Sequence, residues 1–111
     1  MMRANRLLLG IAVALSYSAT EAAAADIEAG KVKAAEVCET CHGVGGNSTS
    51  QDFPKLAGQY PDYLAKSLRD YKSGDRRNPI MAGFAKPLSN QDIDNLAAYY
   101  AAQPAAVSFK H

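Results

Sequence analysis

A chain that sets Cys38 and Cys41 two residues apart, and follows the second at once with His42, is tied at that point to whatever the two thiols hold. The spacing C-x-x-C-H is that at which two thiols attach one haem covalently. The adjacent imidazole is then placed to ligate its iron. A fold built around such a point must enclose a large, flat, apolar group, and this constrains a short chain more than any other feature.

The residues upstream do not belong to that fold. Arg3 and Arg6, the apolar run Leu7 to Leu15 and the small-residue segment Ala22 to Ala25 form the pattern of a secretory signal peptide over residues 1–25. Cleavage is expected after Ala25 or one residue earlier. The apolar run is shorter than the roughly 20 residues of a spanning helix, which argues against an uncleaved anchor. The expected mature domain is residues 26–111, and the expected location is the periplasm.

Such a domain has 86 residues, 111 less 25. At this size about 60% of the unfolded surface is buried, so a staple is often needed. A haem held by two thioethers would supply one and would itself fill the core. The 12 Lys and Arg lose Arg3 and Arg6 with the leader and the 11 Asp and Glu lose Glu21, leaving ten of each. A neutral domain lacks the basic excess that nucleic-acid binding calls for.

Hydrophobic periodicity predicts an all-α fold with three main helices. The first spans Ile27 to Val37, with Ile27, Gly30, Ala34 and Val37 on one face, and delivers Cys38. A Gly and Asn-rich loop and the irregular segment Phe53 to Gln59 follow. The second helix begins near Pro61, presents Tyr60, Leu64, Leu68 and Tyr71, and closes at Gly74. The third has Ser89 as N-cap with Asp92 three residues on, an apolar face of Ile93, Leu96, Ala97 and Tyr100, and a stop at Pro104. No repeat of the cysteine motif occurs, so one haem is expected.

Three other chemistries could use the two cysteines. A disulfide suits an oxidising compartment. A redox dithiol normally opens a helix in an α/β domain, and no strand pattern is present. A structural zinc site needs about four ligands, where only Cys38, Cys41, His42 and the terminal His111 are at hand. Haem attachment is satisfied by the motif as it stands. For the sixth iron position Met81 is the one methionine left after the leader, in a segment where Pro79 is expected to stiffen an extended approach. His111 and an open position are the alternatives.

The motif, the segment Phe53-Pro54-Lys55-Leu56-Ala57-Gly58-Gln59, and Met81 followed by Leu88-Ser89 and Asp92-Ile93 to Tyr100 together resemble the small bacterial class I cytochromes c. Within these the chain is most similar to the cytochrome c553 and cytochrome c4 branch, over nearly the whole mature domain. The resemblance implies covalent haem c on Cys38 and Cys41, His42 and Met81 as axial ligands, and a Pro54 carbonyl that accepts the other ring N–H of His42. It also implies close crossing of the first and last helices at Gly30 and Tyr99, with Leu96 beside them. Cytochrome c4 carries two such domains in tandem, so one motif favours the single-haem form.

A haem closed on both faces implies a one-electron carrier with no catalytic residues, docking transiently on a redox donor and acceptor as a monomer. A cytochrome subunit of a periplasmic dehydrogenase or reductase, or an open-site sensor or peroxidase, are the alternatives. The run Lys66, Arg69, Lys72, Arg76 and Arg77 could steer an acidic partner. A solvated helix face with local pairs such as Asp62 with Lys66 is the preferred reading.

Overall fold

The computed structural model describes residues 2–5, 9–16 and 24–106. The expected leader falls partly outside these, Arg6 and Ala22 included, and His111 lies outside them altogether. Among the described residues the fold is all-helical, and no helix is long and apolar enough to cross a membrane.

Helix α1, Ile27–Val37, begins where the Asp26 carboxylate accepts the amide of Ala29 at 3.1 Å, satisfying one of the free donors of the first turn. It buries Gly30 and Ala34. At Cys38 the backbone breaks step, and one further helical turn, α2 (Glu39–His42), carries Cys41 and His42. Gly43 ends that turn at φ +80°, a conformation suited to a residue without Cβ. The chain then folds back on itself, with the amides of Leu56 and Ala57 donating to the Gly46 carbonyl at 2.8 and 3.2 Å.

Helix α3, Pro61–Ser73, has proline in its first turn and closes on Gly74 in the left-handed region, as its sequence signals require. Helix α4, Pro79–Ala85, departs from expectation. Met81 lies in a helix and not on an extended approach. Asn78 takes the extended conformation that a residue before proline prefers, and its side chain caps Ile80 and Met81. Pro79 then starts the helix with its ring already at a helical φ. A Cβ at the exposed Gly83 would meet no protein atom within 4 Å, so no close protein contact explains that glycine.

Helix α5, Asn90–Ala101, opens with the expected reciprocal cap. The Asp92 amide donates to Ser89 Oγ and the Ser89 amide to Asp92 Oδ2, both at 3.0 Å. Its buried face packs on α1 and α3. The α1–α5 crossing is so close that a Cβ on Gly30 would lie 2.1 Å from the Asn95 carbonyl oxygen. Among the described residues Ile93 and Leu96 are the largest fully buried side chains. At about 1.5–3 kcal/mol each they make a thin core. The apolar residues around them line a cavity.

Candidate haem-binding site

Each of α1 to α5 contributes to that cavity, whose volume is about 300 Å³, the lower end of the range for small-molecule sites. The end of α1 supplies Cys38, α2 supplies Cys41 and His42, and the folded-back loop supplies Pro54. From the other walls come Leu64 and Leu68 of α3, Met81 of α4, and Leu96 and Tyr100 of α5. Residues 39 positions apart, His42 and Met81, thus share one space.

His42 is buried, and its Nδ1 lies 2.8 Å from the Pro54 carbonyl oxygen. A carbonyl can only accept, so Nδ1 must carry the proton. That tautomer leaves the Nε2 lone pair free for a metal, with ring orientation fixed by the loop. The Phe53 ring sits edge-on to the imidazole, centroids 6.3 Å apart. The loop owes its position to Gly46, whose φ of +77° admits the Leu56 and Ala57 amides and whose missing Cβ makes room for the Tyr100 ring.

Cys38 and Cys41 are unpaired and half-buried. Burial pushes the Cys38 thiol up, opposed by the nearby Tyr100 hydroxyl and reinforced by Glu39. A reactive redox dithiol wants the opposite shift, toward easy thiolate formation. No group of three or more His, Cys, Asp or Glu among the described residues could hold a metal ion by itself. The Tyr100 hydroxyl is buried beside Cys38 without a hydrogen bond of ordinary geometry, and burial raises its pKa well above the phenol range. The donor set therefore fits haem c. It offers two thiols, one imidazole with a committed tautomer and one thioether, around a cavity with mostly apolar walls.

The basic run is largely engaged close to home. Lys66 pairs with Asp70 and not with Asp62, Arg69 Nη2 reaches Asp94 Oδ1 at 2.6 Å, and Lys72 donates to the Leu88 carbonyl. Two residues that shape the site were not singled out from sequence. Asn95 is buried at the α1–α5 crossing, where its Oδ1 accepts the Asp26 amide at 2.8 Å, and Asn78 sets the start of the Met81 helix. The Asn-Pro pair before Met81 carried the second signal; a lone polar residue within α5 carried none for the first.

The cytochrome c family profile matches residues 27–102. Cytochrome c4 of Stutzerimonas stutzeri is 41% identical over 114 residues, spanning 95% of this chain and 54% of its own. A thiosulfate dehydrogenase electron acceptor of Thiomonas intermedia (strain K12) is 45% identical over 64 residues, 57% of this chain and 30% of its own. Among solved structures, reduced recombinant cytochrome c4 from Pseudomonas stutzeri superposes with a TM-score of 0.72 at 45% identity, over 78% of this chain and 50% of that one. The chain thus spans about half the length of the cytochrome c4 proteins it matches. A profile match over most of the chain, a shared helical fold and a C-x-x-C-H motif opening on an apolar cavity place this chain in the cytochrome c family, whose hallmark is covalently bound c-type haem.

Proposed function

We propose that this chain is an exported, periplasmic one-electron carrier with a single haem c attached through Cys38 and Cys41 and ligated by His42 and Met81. The observation that carries the reading is the bond from His42 Nδ1 to Pro54 O, with Met81 on another wall of the same cavity. Bound there, haem supplies reversible one-electron chemistry, with a potential that axial ligation can move over roughly 0.8 V.

The protein's own part is to hold rather than to react. Pro54 keeps His42 in one tautomer and makes it a better donor. Met81 is carried by a capped helix, which fixes its backbone on that wall, and its thioether would hold the iron. Leu64, Leu68 and Leu96 give the site apolar walls that would keep water from a bound haem. No acid, base or nucleophile is required. Local pairing of the basic run favours docking through shape over strong electrostatic steering.

The test is expression in cells competent for export and haem attachment, followed by absorption spectra and potentiometric titration. A red protein with the weak far-red band of oxidised haem bound to thioether sulfur is expected. Met81→Ala should lose that band and shift the potential more than any other single change. A colourless product would sink the proposal, and a wild type without the band would leave an open or differently ligated iron. Likeness to a thiosulfate dehydrogenase electron acceptor favours a second reading, a carrier dedicated to one dehydrogenase. Co-purification with a stable enzyme partner would distinguish it from a free shuttle.

A further inference from the structure

The bond that fixes the His42 tautomer ends on Pro54, a loop residue, so its permanence depends on what holds the loop. The loop, residues 43–58, doubles back at a neck where the amides of Leu56 and Ala57 meet the Gly46 carbonyl. Past the neck, the bonds that link Ser48, Ser50, Asp52 and Phe53 are all local. Local bonds shape a loop without tying it to the body of the domain.

Residues 104–106 supply such a tie. They follow α5 closely, are exposed and have no regular structure of their own. Three side-chain bonds from the loop nevertheless grip them across 51 to 59 positions of chain. Asn47 Nδ2 donates to the Pro104 carbonyl at 3.1 Å, and Asn47 Oδ1 accepts the Ala106 amide at 2.7 Å. One side-chain amide thus uses its donor and its acceptor together on the same stretch of backbone. Lys55 Nζ donates to the Ala106 carbonyl at 3.0 Å. Asn47 lies on the outgoing limb of the loop and Lys55 on the returning limb, next to Pro54. The two polar groups of Ala106 are therefore claimed by opposite limbs of the neck. The returning limb also meets α5 directly, through the Gly58 amide on the Tyr100 carbonyl at 2.9 Å, and a Cβ at Gly58 would lie 3.2 Å from Ala105 Cβ. Tail and loop are in contact, and the tail descends from a helix packed into the core.

We propose that residues 104–106 are a strap that clamps the Pro54 loop to α5, with Asn47 and Lys55 as positioning residues for the bond between His42 and Pro54. The inference rests on the haem reading and deepens it, because an imidazole that ligates iron through Nε2 needs its Nδ1 proton held in place. Asn47 is the stronger grip, since a short side chain making two bonds loses less rotamer freedom than a lysine making one. Its φ of −95° lies outside the left-handed region, so alanine there removes the grip without strain of that kind.

The test follows solvent exchange of the His42 Nδ1 proton by NMR in the reduced holoprotein, with urea added in steps below the unfolding transition. Asn47→Ala should speed exchange by about tenfold or more, the effect of losing two hydrogen bonds that oppose a local opening. The faster exchange should depend only weakly on urea, since a local opening exposes little surface. Asn47→Asp keeps an acceptor for the Ala106 amide and should regain part of the protection, while Lys55→Met should give a smaller rise than Asn47→Ala. Arg69→Ala breaks an exposed pair between α3 and α5 and should leave the rate unchanged. Unchanged exchange in the double variant Asn47→Ala, Lys55→Met would overturn the proposal. Faster exchange that follows urea as steeply as global unfolding would overturn it too, because the two residues would then only stabilise the fold. Should the double variant not fold, Asn47→Asp and Lys55→Met decide the matter singly by the same two criteria. A haem-loaded wild type whose Nδ1 proton exchanges freely would also overturn it. A wild type that takes up no haem would instead refute the function on which the inference rests.

Discussion

Replacing Gly30 by alanine tests the packing that aims Cys38 at the cavity. The added Cβ would stand 2.1 Å from the Asn95 carbonyl oxygen, 2.7 Å from its carbonyl carbon and 2.9 Å from Tyr99 Cβ. Ordinary contact begins near 3.4 Å, so α1 and α5 must part by about 1.3 Å. Two of the three obstructing atoms are backbone of a helix, which no rotamer change can move. Overpacking of this kind costs about 1–3 kcal/mol, and an immovable neighbour puts the cost near the upper figure. Against this stands the better helix propensity of alanine, worth about 1 kcal/mol. The net expectation is a loss of about 2 kcal/mol, roughly a 30-fold drop in the folding equilibrium constant at about 1.4 kcal/mol per decade.

For a domain of this size that corresponds to a fall in Tm of about 8–16 °C. Thermal unfolding of the holoprotein, followed by far-UV circular dichroism and Soret absorption, measures it. Gly83→Ala is the control, since Gly83 is exposed in α4, does not line the cavity and has open space around its Cβ position. There propensity alone should act, and stability should hold or rise by up to about 1 kcal/mol. If Gly30→Ala behaved like Gly83→Ala, the close crossing would not exist in solution and the packing argument would fail.

The Ser89 amide holds the Asp92 carboxyl below the usual carboxylate range, so its folded pKa lies under its unfolded one. That stabilisation is present above about pH 4 and fades as pH falls through the folded value, as the protonated acid gives up the cap. Urea unfolding should therefore show the advantage of wild type over Asp92→Asn shrinking as pH drops from about 5. Because Asp92 is still partly exposed, solvent screening limits the effect to about 1 kcal/mol, and a growing advantage would refute it. Gly46→Ala must adopt φ +77° and sets its Cβ 2.7 Å from Tyr100 Cδ1 and 2.9 Å from the Ala57 amide. It should cost at least about 2 kcal/mol and reduce haem incorporation, measured by denaturant unfolding and by haem per protein. Arg69→Ala breaks only a half-exposed pair with Asp94, so a change within about 1 kcal/mol that shrinks in salt is expected from the same unfolding measurement.

The helices legible in the sequence were those whose signals are local and redundant. For α1, α3 and α5 an apolar period of 3.6 coincides with a start or stop residue, and their ends fall at Val37, Pro61, Gly74 and Ser89 as the caps imply. The two missed α-helices are too short for periodicity to register. Helix α2 has four residues, and α4 has seven. In α4 the capping signal was present in Asn78-Pro79, but proline was read for the stiffness it gives an extended chain. Its equal aptness for a first helical turn decided the outcome.

Membership of the cytochrome c family, the attachment motif and the helical class follow from sequence alone, because each depends on residues close together in the chain. C-x-x-C-H places two thiols and an imidazole within five residues whatever surrounds them. Which side chains meet across the cavity depends on contacts among distant segments, and only the tertiary structure decides those. It sets Pro54 O against His42 Nδ1, brings Met81 to the same space through a capped turn of helix, and sets Arg76 over the Tyr71 ring. It also shows why a glycine is required at position 30, since the clash it avoids is with Asn95 and Tyr99, more than sixty residues away.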